Sequence, residues 1–219
     1  MHCRNTFGST AALLSMIVLL MHRQARSSDW PQFRGPTHDG VAEKGALTLW
    51  PAAGPKKLWS ANVGSGCADV VIANGKLFAY GNNGNDVDDK AGKANQDIIY
   101  CFDAEIGKEL WKQSYDALFL RVSDAGGPNA TPAADDACVV TLSKAGIARC
   151  HDAATGKLLW TRDFPTERKL DLTKIRTTFQ YGGVASSPVI INNIVFVCGN
   201  GLDKKTGVNV YKTKSPADR

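Results

Sequence analysis

Short apolar runs alternate with turn sequences along this chain, and the same order of runs and turns occurs three times. In the first unit, residues 69–73, 76–81 and 97–102 predict three strands. Asn74-Gly75 lies between the first two runs, and this dipeptide favours the tight turn of a β-hairpin. The matching strands and turns lie at 131–134, 135–136, 137–142 and 147–151 in the second unit, and at 187–191, 192–193, 194–198 and 202–203 in the third.

A short motif of the form Asp-x-x-x-Gly-x-x-x-aromatic closes each unit. It runs from Asp103 to Trp111, from Asp152 to Trp160 and from Asp203 to Tyr211, and residues 54–59 keep only its tail. The closing aromatic therefore recurs about every 50 residues, which is typical of a protein built from stacked repeats.

The motif predicts a tight turn followed by a strand. Its Asp can accept hydrogen bonds from backbone N–H groups two or three residues later. Alternation along the strand places Leu158 and Trp160 on one face and Leu159 on the other. We expect each closing aromatic to bury itself against the neighbouring unit. The glycine of the motif can take the positive φ that a bulged hairpin loop requires, at Gly107, Gly156 and Gly207.

Four short strands in each unit of about 40–50 residues are typical of a propeller blade. The sequence therefore predicts an all-β fold, a partial β-propeller of about three four-stranded blades. Residues 58–63, which carry Trp59, predict an additional N-terminal closing strand. No segment keeps a 3.6-residue period; residues 166–178 come nearest and predict a loop with a helical turn. A β-sandwich is the alternative, although it does not account for the periodic aromatic.

Residues 1–27 have the pattern of an export signal. Arg4 precedes an apolar run from Ala11 to Met21, and small residues stand at Ala25 and Ser27 where a signal peptidase would cut. The run is short for a membrane span, and an uncleaved anchor is the alternative. The predicted domains are a signal peptide at 1–27, an irregular arm at 28–57 and propeller repeats at 58–219. Export would place the chain in the periplasm or cell envelope.

Charge gives no reason to expect a nucleic-acid or acidic-membrane partner. The chain has 26 Lys and Arg against 21 Asp and Glu. Three of those basic residues, Arg4, Arg23 and Arg26, lie in the predicted signal peptide. The rest of the chain is therefore close to electrical balance.

The cysteines do not form the even, dense set of a disulfide framework. Cys101 and Cys150 each lie two residues before a motif Asp, where a small buried side chain is expected. A disulfide between them across neighbouring units is the alternative. No Cys-x-x-Cys pair indicates a zinc site. After Cys3, the chain has Cys67, Cys101, Cys138, Cys150 and Cys198.

No catalytic residue and no metal ligand is predicted. Residues 82–89 are rich in Asn and Asp but lack the spacing of a calcium loop, so they predict a solvated hairpin insertion. His151 occupies the place of Phe102 and Leu202 in the sister units, which favours a packed ring over a general base. His38 lies in the arm.

The serines and glycines also lack a catalytic or phosphate-binding context. Neither Ser123-Asp124 nor Ser186-Ser187 has the flanking glycines of a nucleophile elbow. The glycines of residues 81–84 precede acidic residues and not a helix, so they do not form a dinucleotide or phosphate loop.

The repeated motif, together with Trp-Pro-Gln-Phe-Arg-Gly-Pro-Thr-His-Asp-Gly-Val at residues 30–41, resembles the quinoprotein-like (pyrroloquinoline-quinone-like) β-propeller family. The resemblance covers residues 29–211 and extends to the propeller scaffold of outer-membrane β-barrel assembly. It implies either a binding scaffold or a dehydrogenase with its quinone on the propeller axis beside calcium and a general base. It also implies that an N-terminal strand, here 58–63, completes the last blade. Many such dehydrogenases carry adjacent cysteines, and this sequence has no Cys-Cys pair.

We therefore predict an exported, non-catalytic propeller that binds or scaffolds a protein or an extended peptide client. No cofactor is predicted. Pyrroloquinoline quinone and calcium enter only under the alternative, an incomplete part of a quinone-dependent dehydrogenase, and a polysaccharide-binding module is a third reading. Because a closed ring needs at least about four blades, we expect the chain to require the remaining blades of a longer protein or further copies of itself.

Overall fold

The computed structural model of the protein describes residues 29–42, 50–84, 95–117, 126–169 and 183–212. Within them the chain forms three four-stranded antiparallel sheets, each made of consecutive strands. The predicted signal peptide at 1–27, most of the Asn- and Asp-rich loop at 82–89 and Ser123-Asp124 lie outside the described residues.

Each sheet corresponds to one predicted unit. The fold is therefore all-β, a partial β-propeller of three four-stranded blades, as the repeat predicts. The first blade contains β1 (Val71–Ala73), β2 (Lys76–Asn82), β3 (Gln96–Asp103) and β4 (Glu109–Asp116). The second contains β5 (Ala133–Ala134), β6 (Cys138–Leu142), β7 (Ile147–Asp152) and β8 (Leu158–Asp163), followed by the short helix α1 (Phe164–Glu167). The third contains β9 (Val189–Ile191), β10 (Ile194–Val197), β11 (Asn200–Asp203) and β12 (Asn209–Lys212).

Local sequence explains the connections between the strands. Asn74 and Gly75 have φ values of 50° and 72°, which the two central residues of the predicted hairpin turn require. The helical turn expected within 166–178 begins earlier, at Phe164, because the Asp163 side chain caps it by accepting a hydrogen bond from the Thr166 amide at 3.0 Å.

The hydrophobic core lies between the blades. Strand β6 of the middle blade is buried on both faces, and its side chains alternate between two clusters. Val139 packs in the cluster with Val71 and Phe78 of the first blade, whereas Val140 packs in the cluster with Val195 of the third. Each sheet is therefore stabilised by its neighbours and not by a core of its own.

The prediction of a closing strand at residues 58–63 is wrong. These residues form no strand, and the nearest pairing is a single bridge between Ser65 and Asn82. A strand needs a hydrogen-bonded partner, and the described part of the chain holds no fourth sheet beside this segment.

A β-bulge in the outer strand of each blade also changes the predicted alternation. Trp160 pairs with Cys150 and Leu158 pairs with His151, so Leu159 is the additional residue. Because Cys150 and His151 are neighbours on β7, their partners face opposite sides. Leu158 and Trp160 therefore do not share a face, and Leu158 is exposed while Trp160 is buried.

Candidate functional site

The turn of the repeated motif is held by its own aspartate, as predicted. In the second blade, Asp152 Oδ1 accepts hydrogen bonds from the amides of Ala154 (3.1 Å) and Thr155 (2.8 Å) and from Thr155 Oγ1 (2.7 Å). These bonds, with the Thr155 hydroxyl first among them, lower the pKa of the Asp152 carboxyl. Gly156 follows with a φ of 73°. The Asp103 and Asp203 side chains accept the equivalent backbone bonds in the other two blades.

The tryptophans join consecutive blades. Each indole lies over the motif glycine of the next blade, so closely that a Cβ on that glycine would come within 2.4–2.8 Å of the ring. Each Nε1–H also donates to the carbonyl one residue after the motif Asp. The pairs are Trp59 with Ala104 (3.1 Å), Trp111 with Ala153 (3.2 Å) and Trp160 with Lys204 (2.8 Å). The expectation that the aromatics bury against neighbouring units is thereby confirmed for these three.

Tyr211 occupies the equivalent place in the third blade without such a partner among the described residues. Its side chain is 58% exposed, whereas that of Trp160 is 7% exposed. On the same face of the third blade, Phe196 is 37% exposed and lies beside a shallow cavity of about 270 Å³. Trp59, Trp111 and Trp160 thus each dock on the turn of the next blade. Among the described residues, no such turn lies beside Tyr211.

The bulge leaves one aliphatic side chain exposed in every blade. Leu110, Leu159 and Val210 are the additional residues of β4, β8 and β12, and they are 45%, 44% and 56% exposed. Strands β4, β8 and β12 are also the outermost of their sheets, so their outer edges pair with no other described strand. Each blade therefore combines a free backbone edge with an exposed aliphatic at the same position.

The N-terminal arm lies against the innermost strands. Trp30 and Ile72 of β1 exchange two backbone hydrogen bonds of 2.9 Å, and the carbonyl of Pro31 accepts a bond of 2.8 Å from the amide of Ala134 in β5. The Gln32 side chain reaches the third blade, where its Oε1 accepts from the amide of Ile190 in β9 at 3.3 Å.

Two cavities border the arm. One of about 730 Å³ opens beside Pro31, Asp135 and Lys204, and one of about 460 Å³ lies between Phe33 and Thr131. An ion pair between Lys204 Nζ and Asp135 Oδ2, 2.6 Å apart, forms part of the lining of the 730 Å³ cavity.

His38 and Ser187 both lie at the smaller cavity without forming a catalytic pair. His38 Nε2 is 3.1 Å from the side-chain nitrogen of Gln32, and Ser187 Oγ accepts a bond from the Thr131 amide at 3.0 Å. Thr131 Oγ1 in turn accepts from the Asp69 amide at 3.2 Å. The hydroxyls therefore join consecutive blades at the start of their inner strands, a role that the sequence did not indicate.

His151 is a packed ring, as its counterparts Phe102 and Leu202 suggested. It is fully buried between Trp111 and Tyr115, and its Nε2 lies 2.7 Å from the Tyr115 hydroxyl. Its Nδ1 is buried and has no hydrogen-bond partner among the described residues. Burial, with a smaller contribution from the nearby positive charge of Arg149, lowers the pKa of His151 to about 4.

A buried hydrogen-bonded group in the first blade, formed by Tyr80, Asn82 and Asp97, was missed by sequence reasoning. Asp97 accepts hydrogen bonds from Tyr80 Oη at 2.9 Å and from Asn82 Nδ2 at 2.7 Å, and all three side chains are buried. Burial raises the pKa of Asp97 although both bonds oppose the rise. No sequence signal marks this group, because its partners lie 15 and 17 residues away on the neighbouring strand.

The alternative of a Cys101–Cys150 disulfide is wrong. Both are free and buried thiols. Cys101 packs between the first and second blades and Cys150 between the second and third, so the middle sheet separates them. Burial raises the pKa of Cys101 to about 12, which makes it a packing residue and not a nucleophile.

Two further observations concern only the described ranges. They contain no cluster of three or more His, Cys, Asp or Glu side chains arranged to bind a metal ion. They also contain no helix with the length and apolar character of a membrane span.

The chain is similar in sequence to a known protein family. The family model described as "Outer membrane protein assembly factor BamB" matches residues 94–209, which is more than half of the chain. The chain belongs to this family. The match begins just before β3 of the first blade and ends at Asn209, the first residue of β12, so it includes the first two motifs in full and the third without its last two residues. No curated protein sequence is a significant match.

One solved structure is similar in fold over most of this BamB-family chain. The quinohemoprotein alcohol dehydrogenase from Comamonas testosteroni is similar with a TM-score of 0.50 at 18% identity, over 89% of this chain and 28% of that one. A europium-containing methanol dehydrogenase (TM-score 0.44, 15% identity) covers 65% and 23%, and BamB from Moraxella catarrhalis (0.38, 18%) covers 68% and 52%. The chain thus spans about a quarter of the length of the two dehydrogenases. At these identities the likeness concerns the fold alone.

Proposed function

We propose that this chain is part of a non-catalytic propeller, exported to the periplasm or cell envelope, that binds an extended segment of a client protein. Membership of the BamB family supports a scaffolding role. The observation that carries the proposal is the outer rim, where Leu110, Leu159 and Val210 lie beside unpaired strand edges. An extended peptide can pair with such an edge and place alternate side chains against exposed aliphatics.

A labelled peptide of alternating apolar and polar residues tests this binding mode by fluorescence anisotropy. We expect it to bind, and the same peptide with N-methylated alternate amides to fail, because N-methylation removes the backbone donors. Because each blade offers such an edge, Leu110→Asp, Leu159→Asp and Val210→Asp together should weaken binding by roughly tenfold or more, since each replaces about 2 kcal/mol of apolar contact. Val41→Asp, at a similarly exposed residue of the arm, is the matched control. Equal binding of both peptides would contradict edge pairing.

The proposal involves no cofactor and no nucleic acid. The arm supports the first point, because Trp30, Pro31 and Gln32 lie among the inner strands, where the quinoprotein-like resemblance would place a quinone. Adding pyrroloquinoline quinone and calcium to the full-length protein tests the alternative: cofactor absorbance with dye reduction by alcohols or aldose sugars would favour a dehydrogenase.

We further propose that additional blades, from a longer chain or from further copies, cover the third blade. The exposed Tyr211 supports this, because the equivalent Trp160 is buried by the next blade's turn. Size-exclusion chromatography with light scattering should show self-association of the 219-residue chain. Tyr211→Ser should reduce it. A stable, folded monomer would oppose this part of the proposal without affecting edge pairing.

A further inference from the structure

The N-terminal arm contacts all three blades within a few residues. We infer that residues 29–32 form a strap that binds the inner strands from the axis side and holds the three blades around that axis. The inner edges of the three blades are therefore partnered by a segment of this chain.

The contacts follow the order of the blades. Asp29 Oδ1 accepts from the amide of Asn74, in the hairpin turn of the first blade, at 3.0 Å. Trp30 then pairs with β1, Pro31 bonds to β5 and Gln32 bonds to β9. Four consecutive residues thus reach three sheets, and the last bond joins residues 158 positions apart in sequence.

Gln32 is built into this contact. Its side chain is only 6% exposed, and both of its polar atoms lie within hydrogen-bond distance of partners, the Ile190 amide and His38 Nε2. A shorter or apolar side chain would leave the part-buried Ile190 amide without this acceptor, and a donor that loses its partner away from water destabilises the fold. The glutamine therefore fixes the register of the strap against the third blade.

The arm also carries its own internal fold. Gly35, with a φ of 77°, lies against the Trp30 ring, so that a Cβ there would come within 2.8 Å of the ring. Gly40 donates a backbone bond of 3.0 Å to Arg34. The chain after the strap therefore turns back on Trp30, and this turn reduces the conformational entropy lost when the arm binds.

The inner strands of the three blades are short, so additional hydrogen bonds from the arm stabilise them. β1, β5 and β9 contain only three, two and three residues. Strands this short form few ladder bonds, so each arm bond adds a large share of the hydrogen bonds available at the axis. The arm belongs to none of the three sheets, and it thereby stabilises all of them.

Cleavage of the full chain tests the strap directly. A protease site is placed within residues 43–49, the folded protein is cut, and size-exclusion chromatography with mass spectrometry follows the arm peptide. We expect the arm to remain with the blades after cleavage. Trp30→Ala, which removes the ring against which the arm folds, should weaken retention of the arm, and Val41→Ala, at an exposed arm residue, should not. Separation of the unsubstituted arm from folded blades would overturn the inference.

Amide hydrogen exchange in the uncut chain keeps the test valid if Trp30→Ala does not fold. Gln32→Ala should increase exchange of the Ile190 amide by roughly tenfold, the size expected for loss of one hydrogen bond. The Ile72 amide should change less, and the β6 amides should report intact folding. Equal exchange at Ile190 in Gln32→Ala and Val41→Ala would show that the strap does not hold the third blade.

Discussion

Gly156→Ala isolates the contribution of tryptophan docking to stability, because the chain contains a matched control. Gly156 has a φ of 73°, and a Cβ there would lie 2.6 Å from two atoms of the Trp111 ring. Gly75 has almost the same φ, 72°, but a Cβ there would meet nothing within 4 Å. The two substitutions therefore share a backbone cost and differ in the clash with the indole.

The expected magnitudes follow from these geometries. Positive φ costs an alanine about 1–2 kcal/mol at either position. Forcing the Trp111 ring away from its turn adds about 1–3 kcal/mol, the usual range for overpacking. Gly156→Ala should therefore lower the free energy of unfolding by about 2–5 kcal/mol, and Gly75→Ala by about 1–2 kcal/mol.

Denaturant titrations followed by circular dichroism measure both values, provided that the m-values stay equal. The double variant with Trp111→Ala supplies the decisive comparison, because removal of the ring leaves room for the new Cβ. In that background Gly156→Ala should cost no more than Gly75→Ala. If Gly156→Ala and Gly75→Ala are equally destabilising with Trp111 present, the indole does not dock on the turn as described.

Three further predictions concern single groups. Since the unfolded chain protonates His151 at its ordinary pKa of 6.5 and the folded chain only near 4, stability should fall as the pH drops through that window, by up to about 3 kcal/mol. His151→Phe should abolish this dependence in denaturation curves at pH 4 to 7, and an unchanged slope would contradict it. Asp135→Asn should lower stability by about 1 kcal/mol, because it weakens the ion pair with Lys204, and a loss that persists in high salt would refute the electrostatic origin. Among the cysteines the structure describes, a thiol reagent should modify exposed Cys67 in the native protein and the buried ones only after unfolding; rapid native labelling of all five would oppose this packing.

The β-bulge was not predicted from the alternation of residues along the strand. Alternation placed Leu158 and Trp160 on one face, but the additional residue at Leu159 turns the indole towards the next blade. A bulge is decided by the register between two strands, and the sequence of one strand alone does not contain it. The family resemblance predicted the propeller correctly. It did not predict that the arm lies against the inner strands, because those contacts join segments far apart in the sequence.

The sequence by itself determined the repeat, the four strands of each blade and the turn held by Asp103, Asp152 and Asp203. These features are local: the turn's hydrogen bonds join residues two or three positions apart, so a short segment contains all the chemistry that forms it. Only the tertiary structure decided which carbonyl receives the Trp111 indole, 42 residues away, and which blade Gln32 reaches across 158 residues. The burial of Asp97 was likewise decided only by the tertiary structure, because exclusion of water at a side chain depends on the sheets that pack over it.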